Sequence, residues 1–125
     1  MYPSNLKYST EHMWLKIDVD NRGVIGITNY YQEQLRNIVF IELPKVGTFV
    51  SKDGIFGIIE SSKATSDLCS PVSGTVVEVN GLLESKPGLI NSDPYGKGWI
   101  FMVELSSPDE LDALLSADEY TDIIK

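Results

Sequence analysis

Apolar and polar residues alternate along much of the chain, with the period of two that is typical of β-strands. WLKIDV, from Trp14 to Val19, alternates in this way, and the pattern resumes at Val24 after a break at Asn21-Arg22-Gly23. A polar turn between two such runs is typical of a β-hairpin. Further short apolar runs follow, separated by turn residues: IVFIEL, TFV, IFGIIE, TSDLCS, GTVVEVN and GWIFMVEL. The pattern predicts a mainly β fold.

Three segments depart from this alternation and predict short helices. TNYYQEQL offers Thr28 as an N-cap ahead of good helix formers, which predicts one internal helix ending near Leu35. SSPDELDALL supplies Ser107 as an N-cap and Glu110 three residues later, the spacing of a capping box. SADEYTDIIK repeats this spacing from Ser116. We therefore expect two short C-terminal helices that pack against the sheets.

A lysine lies between two similar segments in the middle of the chain. Gly47-Thr48 and Gly74-Thr75 each begin an apolar run, and Lys63 lies between them within IIESSKATSDL. The weak symmetry fits two half-sandwiches joined at a tight turn. Short polar residues around Lys63 predict that turn, and they leave the amine exposed to a modifying enzyme. The alternative is an ordinary solvated lysine.

Size and charge narrow the classes of function. A chain of 125 residues, 42% of them hydrophobic, predicts one packed domain over residues 1–125. A formal net charge of −8 disfavours nucleic acid and anionic membranes as partners. The single Cys69 and the lack of a leader pattern in MYPSNLKYST predict a reducing bacterial cytoplasm. The alternative is a mitochondrial matrix, after trimming of a presequence.

The sequence lacks the residue sets of common catalytic and metal sites. His12 is the only histidine and Cys69 the only cysteine, too few for a Cys-His nucleophile or a Cys/His zinc site. Carboxylates are numerous but form no motif of paired acid–base chemistry. The glycines form no phosphate-binding loop. We therefore expect a protein that is not an enzyme and holds no metal, with a structural hydrogen bond at His12.

Seven motifs, in order and spacing, resemble the H-protein family of the glycine cleavage system. Between about Leu6 and Tyr120 they read LKYSTEHMWL, GITNYYQEQL, VFIELPKVG, ESSKATSD, SPVSGTVVEVN, KPGLINSDPYGKGW and SSPDELDALL. Biotin carriers usually place methionines beside their lysine, whereas Ser62 and Ala64 stand here. Lipoyl domains of 2-oxoacid dehydrogenases share the hairpin lysine, but the EH-W start and this helical tail are not expected of them.

The resemblance implies a flattened β-sandwich of the barrel-sandwich hybrid type, with lipoic acid joined to Lys63 through an amide. Glu60, Ser61, Ser62 and Ala64 would form the turn that a lipoate ligase or lipoyl transferase recognises. The resulting arm is on the order of 14 Å long and can swing between active sites. The implied partners are a pyridoxal-phosphate-dependent glycine decarboxylase, a folate-dependent aminomethyltransferase and dihydrolipoyl dehydrogenase. The protein would carry the aminomethyl intermediate between them as a monomer.

The resemblance also implies a surface cleft that shelters the loaded arm, and some residues there are unusual. Met13 stands where the family usually has a glutamate, which leaves Asp67 as a candidate anchor. Glu11 is a candidate substitute, because residues 11 and 13 of a strand would share a face. Four further positions depart from the family pattern: Tyr31, Arg36, Asn37 and Ser62. We expect lipoylation at Lys63 with looser shelter of the arm.

Two other functions stay open at this point. One is a lipoyl relay, an H-like protein that donates its lipoyl group to other enzymes and need not support glycine–CO₂ exchange. The other is an unmodified structural or regulatory β-domain, whose intact mass would show no lipoyl increment. We rank the glycine cleavage carrier first and the relay second.

Overall fold

The computed structural model describes residues 2–18 and 21–125, and these form nine strands in two sheets. In chain order the strands are β1 (Lys7–Tyr8), β2 (Met13–Ile17), β3 (Arg22–Ile27), β4 (Ile38–Ile41), β5 (Phe49–Val50), β6 (Ile55–Ser61), β7 (Thr65–Cys69), β8 (Gly74–Val79) and β9 (Phe101–Leu105). One sheet has the order β1-β2-β3-β9-β8-β5 and the other β4-β6-β7. The predicted mainly β fold is confirmed.

The predicted first hairpin joins β2 to β3, but β3 begins two residues earlier than expected. Arg22 and Gly23 belong to β3, and Asn21 takes a left-handed conformation with φ 63°. A Cβ atom at Gly23 would press on the end of the Leu15 side chain, which would have to shift. Val19, the expected end of the first strand, lies outside the described residues.

The helices are α1 (Asn29–Leu35), α2 (Leu82–Ser85), α3 (Leu89–Ser92), α4 (Ala117–Ile123) and a 3-10 helix (Pro108–Ala113). The sequence predicted α1 and the two C-terminal helices, although the first of these is 3-10 rather than α. It did not predict α2 and α3, because a single turn is too short to show a helical period. No helix within the described residues is long and apolar enough to cross a bilayer.

The two predicted C-terminal capping boxes had different outcomes. Ser116 accepts a hydrogen bond from the Glu119 backbone N–H, and the Glu119 carboxylate accepts one in return, so this box is confirmed. Ser107 makes no side-chain cap, so the first box is wrong. The Glu110 carboxylate instead accepts hydrogen bonds from the backbone N–H and the hydroxyl of Ser73, at 2.7 and 2.9 Å. Two donors on a neighbouring loop outcompete the local cap.

The two sheets share one apolar core. Leu15, Ile25 and Val103 come from the first sheet, and Ile59 and Leu68 come from the second, all almost fully buried. Burying each such side chain contributes about 1.5–3 kcal/mol. This packing gives the predicted sandwich and holds β6 and β7 on a rigid base.

The two Gly-Thr segments lie side by side at the base of the β6–β7 hairpin. Phe49 pairs with Thr75 and Val50 with Gly74, so β5 and β8 bring together the two ends of the segment that contains Lys63. Gly74 has no room for a side chain, because a Cβ atom would lie 2.6 Å from a Val103 methyl group. The weak repeat seen in the sequence thus corresponds to two paired strands.

Candidate functional site

Lys63 lies at the tip of the hairpin that joins β6 to β7. Its side chain is exposed, and so are those of Ser62, Ala64 and Thr65. Glu60 and Thr65 form the last strand pair before the turn. The predicted exposed hairpin is present, with an amine that a protein enzyme can approach.

Ser61 gives the turn its shape. Its Oγ accepts hydrogen bonds from the backbone N–H groups of Lys63 and Ala64, at 3.2 and 3.0 Å. The Ser61 backbone N–H donates to the Ala64 carbonyl at 2.8 Å, and the Ser61 hydroxyl points to the same carbonyl at 3.1 Å. Serine hydroxyls commonly organise turns in this way. The backbone around the lysine is therefore fixed by the residues beside it.

A second contact fixes the turn from outside the hairpin. The backbone N–H of Ser62 donates to the carbonyl oxygen of Asn37 at 2.8 Å. Asn37 lies in the connection between α1 and β4, directly after Arg36, whose φ is 71°. The residue before the lysine is thus tied to the end of α1.

Asn91 in α3 holds that connection in place. Its Oδ1 accepts a hydrogen bond from the Ile38 backbone N–H at 2.9 Å. Its Nδ2 donates to the Arg36 carbonyl at 2.7 Å and to Gln32 Oε1 at 2.9 Å. Sequence reasoning did not assign this role, because the partners of an asparagine in a loop cannot be identified from local spacing.

The loop after α3 forms hydrogen bonds with β2 and with the start of α1. The Pro94 carbonyl accepts a hydrogen bond from Trp14 Nε1 at 3.0 Å. The Tyr95 hydroxyl accepts one from the Asn29 backbone N–H at 2.9 Å, and burial raises the pKa of Tyr95 to about 12. This segment therefore ties β2 and the first turn of α1 to the body of the protein.

Tyr31 joins α1 to β7 on the other side of the hairpin. Its hydroxyl lies 2.7 Å from Ser66 Oγ, in a hydrogen bond that either group can donate. Burial raises the pKa of Tyr31, and the nearby Cys69, Glu11 and Asp67 raise it further, so the hydroxyl stays protonated. The side chain thus covers part of the surface beside β7.

The three expected cleft residues occupy different environments. Asp67 and Glu11 are exposed, and after burial of the thiol their charges are the next causes that raise the pKa of Cys69. Met13 is 0% exposed and belongs to the core. Glu11 lies in the turn before β2, which begins only at Met13 after a left-handed His12 with φ 69°. The expectation that Glu11 and Met13 share a strand face is therefore wrong.

His12 has the structural role that the sequence suggested. Its Nδ1 lies 2.8 Å from the Tyr120 hydroxyl, which lies 2.7 Å from Thr28 Oγ1. Burial lowers the pKa of His12, and the Glu11 carboxylate partly opposes this effect. The imidazole links the start of β2 to α4.

Comparison with known proteins places these features in one family. The family model described as "Glycine cleavage H-protein" matches residues 6–125. The chain is 54% identical to the glycine cleavage system H protein of Carboxydothermus hydrogenoformans, over 98% of this chain and 94% of that one. It is 55% identical to the mitochondrial glycine cleavage system H protein of Oryza sativa, over 93% of this chain and 70% of that one.

A solved structure agrees with the fold. The crystal structure of a glycine cleavage system H protein from Mycobacterium marinum superposes with a TM-score of 0.91, at 37% identity and over 98% of both chains. The chain therefore belongs to the glycine cleavage H-protein family.

Proposed function

We propose that this protein is a lipoyl carrier of the glycine cleavage system, with the lipoyl group attached to Lys63. The observation that carries this proposal is an exposed lysine at the tip of a hairpin whose turn is fixed from both sides, in a member of this family. Joined to the lysine, lipoic acid supplies a dithiolane that exchanges an aminomethyl group and electrons with partner enzymes.

The residues around Lys63 suit this attachment. The only ion pair within the described residues joins Lys125 to Asp122, so no carboxylate holds the Lys63 amine in a salt bridge. Amide formation removes the ammonium charge, which changes the formal net charge from −8 to −9. The modified side chain would extend from a turn in which the neighbouring side chains, those of Ser62 and Ala64, are small, so it would be free to move.

Partner enzymes would perform the chemistry, and this protein would present the arm. The partners are the glycine decarboxylase, the aminomethyltransferase, dihydrolipoyl dehydrogenase and the lipoate ligase or lipoyl transferase. In the ligase reaction, Glu60, Ser61, Ser62 and Ala64 supply the recognised turn. The acidic surface, at −8 overall, favours partners with basic docking faces.

Mass spectrometry tests the attachment. The protein is purified from lipoate-supplemented cells that contain a competent ligase, and its intact and peptide masses are compared with those of Lys63→Arg and Lys45→Arg. Lys45 is an exposed lysine at another turn and serves as the matched control. We expect a lipoyl increment on the Lys63 peptide that disappears only in Lys63→Arg. An unmodified wild-type protein would overturn the proposal.

The role in glycine cleavage needs a separate measurement. Lipoylated protein is added to the glycine decarboxylase, and exchange of labelled CO₂ into glycine is followed. We expect exchange that depends on the lipoylated form. A lipoylated protein that the decarboxylase does not accept would favour the lipoyl relay instead.

For the shelter of the loaded arm we propose Asp67 and Glu11 as the carboxylates that face it. Met13 cannot take this role, and a Met13→Glu test would place a charge in the core at a large cost in stability. Asp67→Asn and Glu11→Gln are therefore compared with Asp112→Asn, a remote exposed control. We expect faster ammonia release from loaded Asp67→Asn, and release equal to the control would contradict this role.

A further inference from the structure

The Asn91 side chain makes three hydrogen bonds, all of them to one short segment of the chain. Its partners are Gln32 in the last turns of α1, Arg36 just after the helix, and Ile38 at the start of β4. The side-chain oxygen accepts one hydrogen bond and the amide nitrogen donates two, at 2.7 to 2.9 Å. A single side chain thus bonds to both ends of the segment 36–38 and to the helix before it.

That segment needs external support. Arg36 has φ 71° and ψ −147°, a conformation that a residue with a Cβ atom adopts only at a cost of about 1–3 kcal/mol. The last turn of α1 contains no basic residue that could bind its free carbonyls. Asn91 Nδ2 supplies the Arg36 carbonyl with a hydrogen bond, and without it the connection would lose one of its restraints.

The same segment touches the turn that carries Lys63. The Asn37 carbonyl accepts the Ser62 backbone N–H at 2.8 Å, and Ile38 pairs with Ser61 in the ladder between β4 and β6. Both contacts lie between the two residues that Asn91 holds, or directly on one of them. A displacement of residues 36–38 would therefore displace Ser62, the neighbour of Lys63.

We propose that Asn91 is a positioning residue for modification of Lys63: it fixes the Asn37 carbonyl, and that carbonyl fixes the turn presented to the lipoate-attaching enzyme. This inference rests on the proposed function. Asn91 touches neither the lysine nor the modifying enzyme. Its loss would leave the amine reactive but spread the turn over several conformations, of which the enzyme binds only some.

Lipoylation kinetics of the unmodified full chain tests the proposal. Initial rates of lipoylation by a lipoate ligase, with lipoate and ATP present, are measured over a range of concentrations of unlipoylated wild type and Asn91→Ala. We expect KM for the protein to rise about tenfold with kcat nearly unchanged, because only a fraction of the turns is competent to bind. Asn91→Asp, which keeps the acceptor for Ile38 but loses both donors, serves where Asn91→Ala does not fold, and we expect the same direction.

Asn80→Ala is the matched control. Asn80 is a buried asparagine whose Nδ2 also donates two hydrogen bonds, in this case to the backbone carbonyls of Lys97 and Trp99, at 2.7 and 2.8 Å. The Asn80→Ala variant therefore loses hydrogen bonds of the same kind, but away from the Lys63 turn. We expect it to lower the melting temperature while leaving KM near the wild-type value. If KM rose equally in Asn80→Ala and Asn91→Ala, general destabilisation would explain the effect and the proposal would be overturned.

Amide hydrogen exchange separates this inference from the proposed function. Exchange of the Ser62 N–H should accelerate in Asn91→Ala and stay unchanged in Asn80→Ala, whether or not Lys63 is ever lipoylated. Unchanged Ser62 exchange together with unchanged KM overturns the positioning role while the carrier function stands. Absence of lipoylation in the wild type overturns the carrier function, and the Ser62 exchange then decides whether the contact itself exists.

Discussion

The two ends of α1 are stabilised in different ways. At the N-terminal end, Thr28 is fully buried, accepts the Tyr31 backbone N–H at 3.2 Å and lies 2.7 Å from the Tyr120 hydroxyl. At the C-terminal end, the exposed Arg36 has a left-handed φ, and Asn91 supplies the missing hydrogen bonds. The N-terminal end has a side-chain cap from Thr28 that Tyr120 reinforces, whereas the C-terminal end has only a backbone bond from the Arg36 N–H to the Gln32 carbonyl, and Asn91 supports it from outside the helix.

Both ends of the helix also reach the lysine hairpin. Tyr31, three residues after the N-cap, bonds to Ser66 on β7, and Asn37, just past the helix, bonds to Ser62 in the turn. The helix thus braces the hairpin at two points that depend on different parts of the fold. Two hydrogen bonds, one from α1 and one from the connection after it, thus restrain a hairpin whose tip is exposed to solvent.

The largest effect is expected from Tyr120→Phe. The Phe ring keeps the stacking on Tyr8, whose centroid lies 4.9 Å from that of Tyr120. The change removes the hydroxyl shared by Thr28 and His12, so each of these side chains loses one hydrogen-bond partner. We expect the free energy of unfolding in urea to fall by about 1–3 kcal/mol. Thr28→Ser keeps the hydroxyl and should cost much less, so equal losses would contradict this account of the N-terminal end.

A smaller effect of opposite sign is expected from Arg36→Gly. Glycine adopts φ 71° without strain, so we expect the free energy of unfolding to rise by about 1 kcal/mol. Arg22→Gly is the matched control, because Arg22 lies within β3 and glycine there should cost about 0.5–1 kcal/mol. Urea unfolding of both variants measures the difference. A loss of stability in Arg36→Gly would mean that the C-terminal end is not strained.

The smallest effect is a pH dependence at the N-terminal end. Burial lowers the pKa of His12 below its ordinary value of 6.5, so the unfolded chain binds a proton more readily than the folded one. The stability that neutral His12 contributes is therefore present above that value and is lost as the pH falls through the folded-state pKa. Melting temperatures between about pH 7.5 and 5.5 should fall more for wild type than for His12→Asn. Parallel curves would show that His12 does not titrate in this range.

Local signals in the sequence predicted most of the fold. The strand alternation, the Thr28 and Ser116 caps and the polar turn around Lys63 all depend on residues close together in the chain. The family resemblance added the two-sheet sandwich. The strands, caps and turn could be predicted because their signals come from residues close together in the chain.

Contacts between distant residues explain what was missed. Asn91 and Arg36 are 55 positions apart, and the Tyr120 hydroxyl reaches Thr28 across 92 positions. The Ser107 box failed because Ser73, brought close by the fold, captured the Glu110 carboxylate. The alternation rule failed for Glu11 because the backbone turns at His12 before β2 begins. None of these partners can be inferred from spacing.

The pairing of β5 with β8 beneath the β6–β7 hairpin makes residues 47–76 a set of nested closures. The Lys63 turn brings β6 and β7 together, and at the other end of this hairpin the backbone N–H of Ser70 donates to the Gly54 carbonyl at 2.9 Å. With these strands paired, only a few more residues separate Val50 from Gly74, which pair in the next ladder. Each closure then costs only the entropy of a short additional loop. The segment that presents the lysine is therefore inexpensive in chain entropy to assemble, whereas pairing β3 with β9 must bring together opposite ends of the chain.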